Sequence, residues 1–292
     1  MGGRQVIGRL LRRLPVVLAV AAIVFGWIGL NLEGIYFRDT LAYWRPDMND
    51  LYGDRQVGIM STYLYAPAFA QAVAPLGLLP WPAFAAFWSA LNLIALVWMV
   101  GPVLAAILFF LPGSPVADEI STGNIHLLLA AGVVLGFRYP GVWSFALLTK
   151  ISPGVGVLWF LGRREWRPFL MALATTAVIV AVSFVLAPAA WFEWFDLLRR
   201  SSGVPVPAEI GVIPGPLWAR ALAGAALAIG AGMMDRRWIL PVAVTLALPV
   251  PWSSGLSLLV AVIPLTRPAW RPVLERAWDR LSSRLGPTPG TP

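Results

Sequence analysis

Cysteine is absent from this chain of 292 residues. That excludes disulfide scaffolds, thiolate zinc sites and thiol nucleophiles. Charge is scarce as well: 12% of residues are Asp, Glu, Lys or Arg, against about 25% in soluble domains. A water-soluble globular protein is nearly excluded by that figure. Lysine and histidine each occur once, as Lys150 and His126, beside 21 arginines. A lone imidazole has no partners at metal-ligand spacing, so no metal site is expected. No GxxxxGK[ST] loop, no GxGxxG after a strand and no GxSxG elbow is present, which argues against soluble nucleotide chemistry and serine hydrolysis.

What remains is apolar and basic. Hydrophobic residues make up 59% of the chain, the mean hydropathy is +0.75, and the net charge is +8 with a pI near 10.7. In a soluble protein such basicity would point to nucleic acid. Here the arginines sit at the ends of apolar runs. Arg4, Arg9, Arg12 and Arg13 precede the first run; Arg267, Arg271, Arg276, Arg280 and Arg284 follow the last. Arginines in those places mark cytoplasmic ends of spanning segments, so the charge reports topology and no nucleic-acid partner is expected. Both termini are then cytoplasmic, and the chain reads as a multi-pass protein of the cell (plasma) membrane.

The chain divides into a basic arm (1–13), one transmembrane domain (14–265) and a basic tail (266–292). The first apolar run, 14–32, reads as an uncleaved first helix, since no clear small-x-small site follows it. Residues 33–66 form an outer loop with five of the fourteen acids: Glu33, Asp39, Asp47, Asp50 and Asp54. Apolar segments follow at 67–79, 83–100, 101–112, 124–137 and 141–161, the last broken at Lys150-Ile-Ser-Pro153. The basic run 163–167 is cytoplasmic, 168–187 spans outward, and 188–215 is a second outer loop. Runs at 216–234 and 238–265 complete the pattern, with PVPWSSG interrupting the last. Two topologies fit the middle. In one, each short segment crosses. In the other, which we prefer, 83–112 is one broken outward unit and 141–161 is a re-entrant hairpin with Lys150 at its outer tip; irregular backbone at membrane depth occurs where it lines a cavity.

Ionisable groups inside a bilayer are costly and mark function. That principle singles out Lys150, with Asp118, Glu119 and His126 behind it; Asp118 and Glu119 read equally well as solvated loop residues. In the first outer loop Asp39 opens the run D-T-L-A-Y, which puts Tyr43 one helical turn later. A carboxylate at the water–lipid boundary suits removal of a proton from a sugar hydroxyl, and the alternative is a solvated loop acid.

Several motifs occur in a telling order: the Asp39 loop, NDLY, YLYAPAFAQAVAPLGLLP, FWSALNLIAL, STGNIHLLLAAGVVLGF, GVWSFALLTKISPGVGVLWFLGRREWR, and late in the chain LALPVPWSSGLSLLVAVIPL. Together they resemble glycosyltransferase family 87, polyprenol-phosphate-mannose-dependent mannosyltransferases of the GT-C fold. The resemblance covers most of 14–265 and is densest over 123–167. It implies an all-α polytopic bundle of about 8–10 transmembrane or re-entrant helices. It also implies inverting transfer of a sugar, mannose first among candidates, from a polyprenyl-phosphate donor to a lipid or glycan acceptor at the extracytoplasmic face, without nucleotide or required metal. Carried onto this sequence, Asp39 matches the general base, Tyr43, Tyr65 and Pro67 its companions, Gly123 and Asn124 the G-Q position, and Lys150 and Pro153 the K-x-x-P motif. Asn124 stands where Gln is usual, and His126 where Asn is common. The cations expected at the donor phosphate are Lys150, Arg199, Arg200 and Arg38; Tyr43, Tyr65, Asn124 and Trp252 are the expected substrate contacts. The competing readings are a membrane carrier, which would need a repeat relating two halves that the sequence lacks, and a catalytically silent scaffold.

Overall fold

A computed structural model of the chain describes residues 3–33, 37–53, 62–201 and 211–266. The tail 267–292 and parts of both outer loops (54–61 and 202–210) lie outside them, as do the side chains of the basic arm. Among the described residues there is no strand, and the protein is all-helical. The α-helices in order are α1 (Gly3–Glu33), α2 (Arg38–Tyr43), α3 (Pro67–Val73), α4 (Trp81–Val100), α5 (Pro102–Phe110), α6 (Pro115–Thr122), α7 (His126–Gly136), α8 (Trp143–Lys150), α9 (Leu158–Gly162), α10 (Trp166–Leu186), α11 (Pro188–Ser201), α12 (Leu217–Met233) and α13 (Ile239–Leu246). Short 3₁₀ segments lie at Ala74–Leu78, Pro140–Val142, Ser152–Val157 and Ser253–Ala261.

Proline and glycine explain the many short pieces. Gly101, at φ 84°, ends α4, and Pro102 opens α5 at once, where its missing N–H costs nothing. Ser114 then caps α6 by accepting from the N–H groups of Val116 and Ala117 at 3.1 and 3.2 Å, with Pro115 in the first turn. This is a strong start signal. Helices α5 and α6 meet at 89°. Individually α4 and α10 are long and apolar enough to cross a membrane, and the bent α5–α6 pair makes a third such unit. Shorter apolar helical stretches of 10–17 residues lie at Leu14–Gly29 within α1, Pro67–Leu78, His126–Gly136, Ser152–Gly162, Leu217–Met233 and Ser253–Thr266.

The surface explains the composition. Helix α10 is apolar around its whole circumference, yet only Ala172 and Ser183 are buried, while Leu170, Leu173, Val178, Val182, Val185 and Leu186 point outward. Exposure on that scale would drive aggregation in water and is stable in hydrocarbon. Without a hydrophobic drive between helices in lipid, close packing of small residues takes over. A Cβ at Gly232 would lie 2.4 Å from the Trp159 carbonyl oxygen of α9, and one at Gly224 would lie 2.6 Å from the Ala243 carbonyl oxygen of α13. Helix α12 is thereby seated on both neighbours.

The run 143–157 is a helical hairpin. Ile151, at φ 28°, breaks it directly after Lys150. The second limb folds back so that Gly154 faces Leu147 and Gly156 faces Trp143. Lys150 therefore sits at the tip, as the broken 141–161 run predicts.

Candidate active site

Three elements converge on Asp39. Helix α2 begins at Phe37, which is buried and left-handed at φ 68°, an unusual conformation for a non-glycine residue. The Phe37 N–H donates to the Ser121 carbonyl at the end of α6 at 2.6 Å. Gly123 is the second contact. It terminates α6 at φ 70°, and its carbonyl accepts from Thr40 Oγ1 at 3.3 Å and Trp88 Nε1 at 2.8 Å. A Cβ there would stand 1.7 Å from Thr40 Oγ1, so glycine is required by clearance as well as by torsion. Next in the chain, Asn124 donates from Nδ2 to Asp39 Oδ2 at 2.5 Å, while its own Oδ1 accepts from the Ile125 N–H at 2.8 Å. The side-chain amide is thus oriented by backbone.

Behind Asp39 lies an aromatic wall. Tyr43 and Tyr65 share a hydroxyl–hydroxyl hydrogen bond of 2.7 Å, and the Tyr43 ring also packs on Phe69 and Trp88. Tyr52 donates to the Tyr65 carbonyl at 2.6 Å, and the Ala66 N–H donates to the Leu148 carbonyl of α8 at 3.1 Å. That last bond ties the 62–66 segment to the hairpin and brings Tyr65 to its tip. Lys150 Nζ lies 5.8 Å from the Tyr65 ring centroid.

Lys150 does not stand alone. Its Nζ is 3.0 Å from His126 Nε2, and His126 Nδ1 is 2.8 Å from Glu119 Oε2. Glu119 Oε1 also accepts from the backbone N–H groups of His126 and Leu127 at the start of α7. Glu119 and His126 are fully buried. Burial raises the Asp39 pKa above the ordinary aspartate value, opposed first by Lys150 and then by the Asn124 hydrogen bond; Glu119 adds to the rise and His126 opposes it. Asp39, Asn124, Lys150, His126, Glu119, Tyr43 and Tyr65 form one cluster: a part-buried carboxylate beside one cation. Among the described residues, no group of three or more His, Cys, Asp or Glu residues is placed to ligate a metal.

Residues 63–281 match glycosyltransferase family 87. The chain belongs to glycosyltransferase family 87. Similar proteins are a polyprenol-phosphate-mannose-dependent alpha-(1-2)-phosphatidylinositol mannoside mannosyltransferase of Mycobacterium tuberculosis, 24% identical over 233 residues (63% of this chain, 54% of the relative), and a polyprenol-phosphate-mannose-dependent alpha-(1-2)-phosphatidylinositol pentamannoside mannosyltransferase of Mycolicibacterium smegmatis, 26% identical over 220 residues (65% and 53%). The chain spans about half the length of these relatives. No solved structure matches it.

Within the family-87 stretch lie Tyr65, Asn124, Lys150, Arg199, Arg200 and Trp252; Arg38, Asp39 and Tyr43 precede it. Of these, Asp39, Tyr43, Tyr65, Asn124 and Lys150 meet in the cluster. Arg38 is exposed on α2. Arg199 and Arg200 are exposed at the end of α11, where both contact Asp196, and Arg200 also donates to the Gly53 carbonyl at 3.1 Å. Arg200, Asp196, Glu193, Asp50 and Tyr52 line a cavity of about 550 Å³. Trp252 starts the Ser253–Ala261 segment, which packs on α6 and α7, and Ser253 donates to Asp118 at 2.5 Å.

Sequence reasoning left two residues of the cluster without a role. Glu119 read equally as a solvated loop acid, and the structure buries it completely. His126 was singled out behind Lys150 as an ionisable group and otherwise stood as a departure from the family pattern. The signal available was their spacing: a helix end, the Gly123 stop and a new helix start bring a carboxylate and an imidazole seven residues apart into contact.

Proposed function

We propose that this family-87 chain is an inverting mannosyltransferase that uses a polyprenyl-phosphate-mannose donor, with Asp39 as general base. The observation that carries the reading is the Asp39 carboxylate, oriented by Asn124 in the cluster that also holds Lys150. Asp39 takes the proton of an acceptor hydroxyl. The oxygen attacks the anomeric carbon from the face opposite the phosphate, and the glycosidic C–O bond breaks with its electron pair going to polyprenyl phosphate. Because that phosphate already leaves well, positioning and charge stabilisation supply most of the acceleration. Lys150 is the cation best situated to receive it, with Arg38, Arg199 and Arg200 as outer contacts. Tyr43, Tyr65 and Trp252 offer faces on which sugar can stack. The names of both mycobacterial relatives support a phosphatidylinositol mannoside as the acceptor class.

On this reading the site opens to the extracytoplasmic side of the plasma membrane and both termini are cytoplasmic, since the arginine-rich ends oppose the acid-rich loops. The decisive experiment is mannose transfer from radiolabelled polyprenyl-phosphate mannose in membranes carrying the wild-type chain or Asp39→Asn. A loss of about 10²- to 10⁴-fold is expected on removing the base. Undiminished transfer by Asp39→Asn would remove Asp39 from the mechanism.

A further inference from the structure

Lys150 is held by an imidazole, and the identity of that partner has a chemical consequence. Glu119 uses both carboxylate oxygens as acceptors: Oε1 toward the N–H groups that open α7, Oε2 toward His126 Nδ1 at 2.8 Å. A carboxylate in that setting, at a helix N-terminus with charge-assisted bonds on both oxygens, can only accept. It assigns the imidazole proton to Nδ1, which leaves Nε2 as a bare lone pair. That lone pair faces Lys150 Nζ at 3.0 Å, so the ammonium donates to it. The ring is fully buried, with Gly255 beside it, where a Cβ would be in ordinary van der Waals contact with Nε2 at 3.7 Å.

We infer that Glu119 and His126 are positioning residues that hold Lys150 through a neutral acceptor, so that its ammonium stays aimed at the donor phosphate with an imidazole, and not a carboxylate, as its hydrogen-bond partner. The inference rests on the mannosyltransferase reading and adds two residues to it. A carboxylate in direct contact with Nζ would aim Lys150 equally well but would neutralise it as a phosphate anchor. The imidazole separates the two charges by its own width and occupies one of three ammonium donors, leaving two for phosphate oxygens. The Tyr65 ring on the same ammonium adds an attractive face without a formal charge.

The composition makes the test clean. His126 is the one histidine and Lys150 the one lysine of the chain, so ¹⁵N-histidine labelling of the full chain, purified through a histidine-free tag into nanodiscs, reports a single ring. The expected spectrum is a neutral imidazole protonated at Nδ1, with an Nε2 resonance that shifts in Lys150→Met. An Nε2-protonated tautomer, an imidazolium, or indifference to Lys150→Met overturns the inference. The functional arm measures binding of polyprenyl phosphate, without sugar, to the same nanodiscs. His126→Glu, which puts a carboxylate on Nζ, should weaken it by about tenfold or more, the worth of one charge-assisted contact. His126→Gln, which offers a neutral amide oxygen, should stay within about threefold. Where sugar transfer is measurable, the loss in His126→Glu should fall on the donor KM and spare the acceptor KM. Wild-type affinity in His126→Glu overturns the inference while leaving the mannosyltransferase reading intact. Failure of the wild-type chain to bind polyprenyl phosphate overturns both. Should His126→Glu fail to fold, the wild-type and Lys150→Met spectra still decide the matter.

Discussion

Asn124 and Asp39, 85 residues apart in the chain, share a side-chain hydrogen bond of 2.5 Å. The bond is made possible by the Gly123 stop, which turns Asn124 away from α6 and toward α2. Removing the amide in Asn124→Leu should lift the Asp39 pKa further, because that bond favours the ionised form. Transfer near neutral pH should fall by about tenfold, the value of one charge-assisted hydrogen bond. Steady-state transfer assays across pH check this, and an unchanged acid limb would contradict it.

Asp39 also sets a pH dependence of known sign. Its folded pKa lies above the ordinary value, chiefly through burial, so the native state binds the proton more tightly than the unfolded chain. The stability this contributes is complete below the unfolded pKa and is lost as pH rises through the folded one. At neutral pH the ionised carboxylate is therefore a cost to the fold, and Asp39→Asn should raise the unfolding temperature while cutting transfer by about 10²- to 10⁴-fold, as expected on losing the base. The acid limb of kcat/KM should lie above that of an ordinary aspartate, and Lys150→Met, which removes the principal lowering influence, should move it higher still.

Gly123→Ala places a methyl group against Thr40 Oγ1 on a backbone at φ 70°. Both faults should destabilise the protein, by about 1–3 kcal/mol from the torsion alone, read as a lower unfolding temperature in detergent. The double variant with Thr40→Ala should recover the steric part and leave the torsional part. Full recovery would show that the torsion costs nothing.

Arg220 is the buried cation that the charge pattern did not single out. It is 5% exposed, and its guanidinium donates to the carbonyls of Gly215, Leu246, Leu248 and Pro249. Arg220→Ala strands those acceptors at the end of α13, at a cost of about 1–3 kcal/mol for each carbonyl that water fails to reach. Yield of folded protein and thermal unfolding measure the loss. Arg220→Lys should rescue little, since an ammonium cannot present the planar fork.

Much of this was legible beforehand, for definite reasons. Scarce charge made the apolar runs visible, and the Lys150-Ile-Ser-Pro153 break announced the hairpin because proline and a lone cation both interrupt a spanning helix. Asp39, Tyr43, Tyr65, Asn124 and Lys150, expected together from the resemblance, meet because the Gly123 stop turns Asn124 onto Asp39 and the Ala66–Leu148 bond brings Tyr65 to the hairpin tip. Glu119 escaped because burial of a carboxylate depends on a partner that sequence does not reveal until α6 and α7 are folded against each other. Arg220 escaped for the same reason: four backbone carbonyls leave no trace in residue identity. The span lengths were the least readable, since the Gly101-Pro102 break leaves α5 too short to cross a bilayer singly and Ile151 breaks the 141–161 run into two short limbs.

Helix α10 supplies a scale for the whole molecule. Its 21 residues extend about 31 Å, the thickness of a typical hydrocarbon core, with two side chains buried against the protein. It also rests on α8, the limb that carries Lys150. A thinner bilayer is met by tilt or kink of such a helix or by local thickening of the lipid, and a tilt of α10 would bear on α8. The expected outcome is a donor affinity that differs between short-chain and long-chain lipids before any residue is changed.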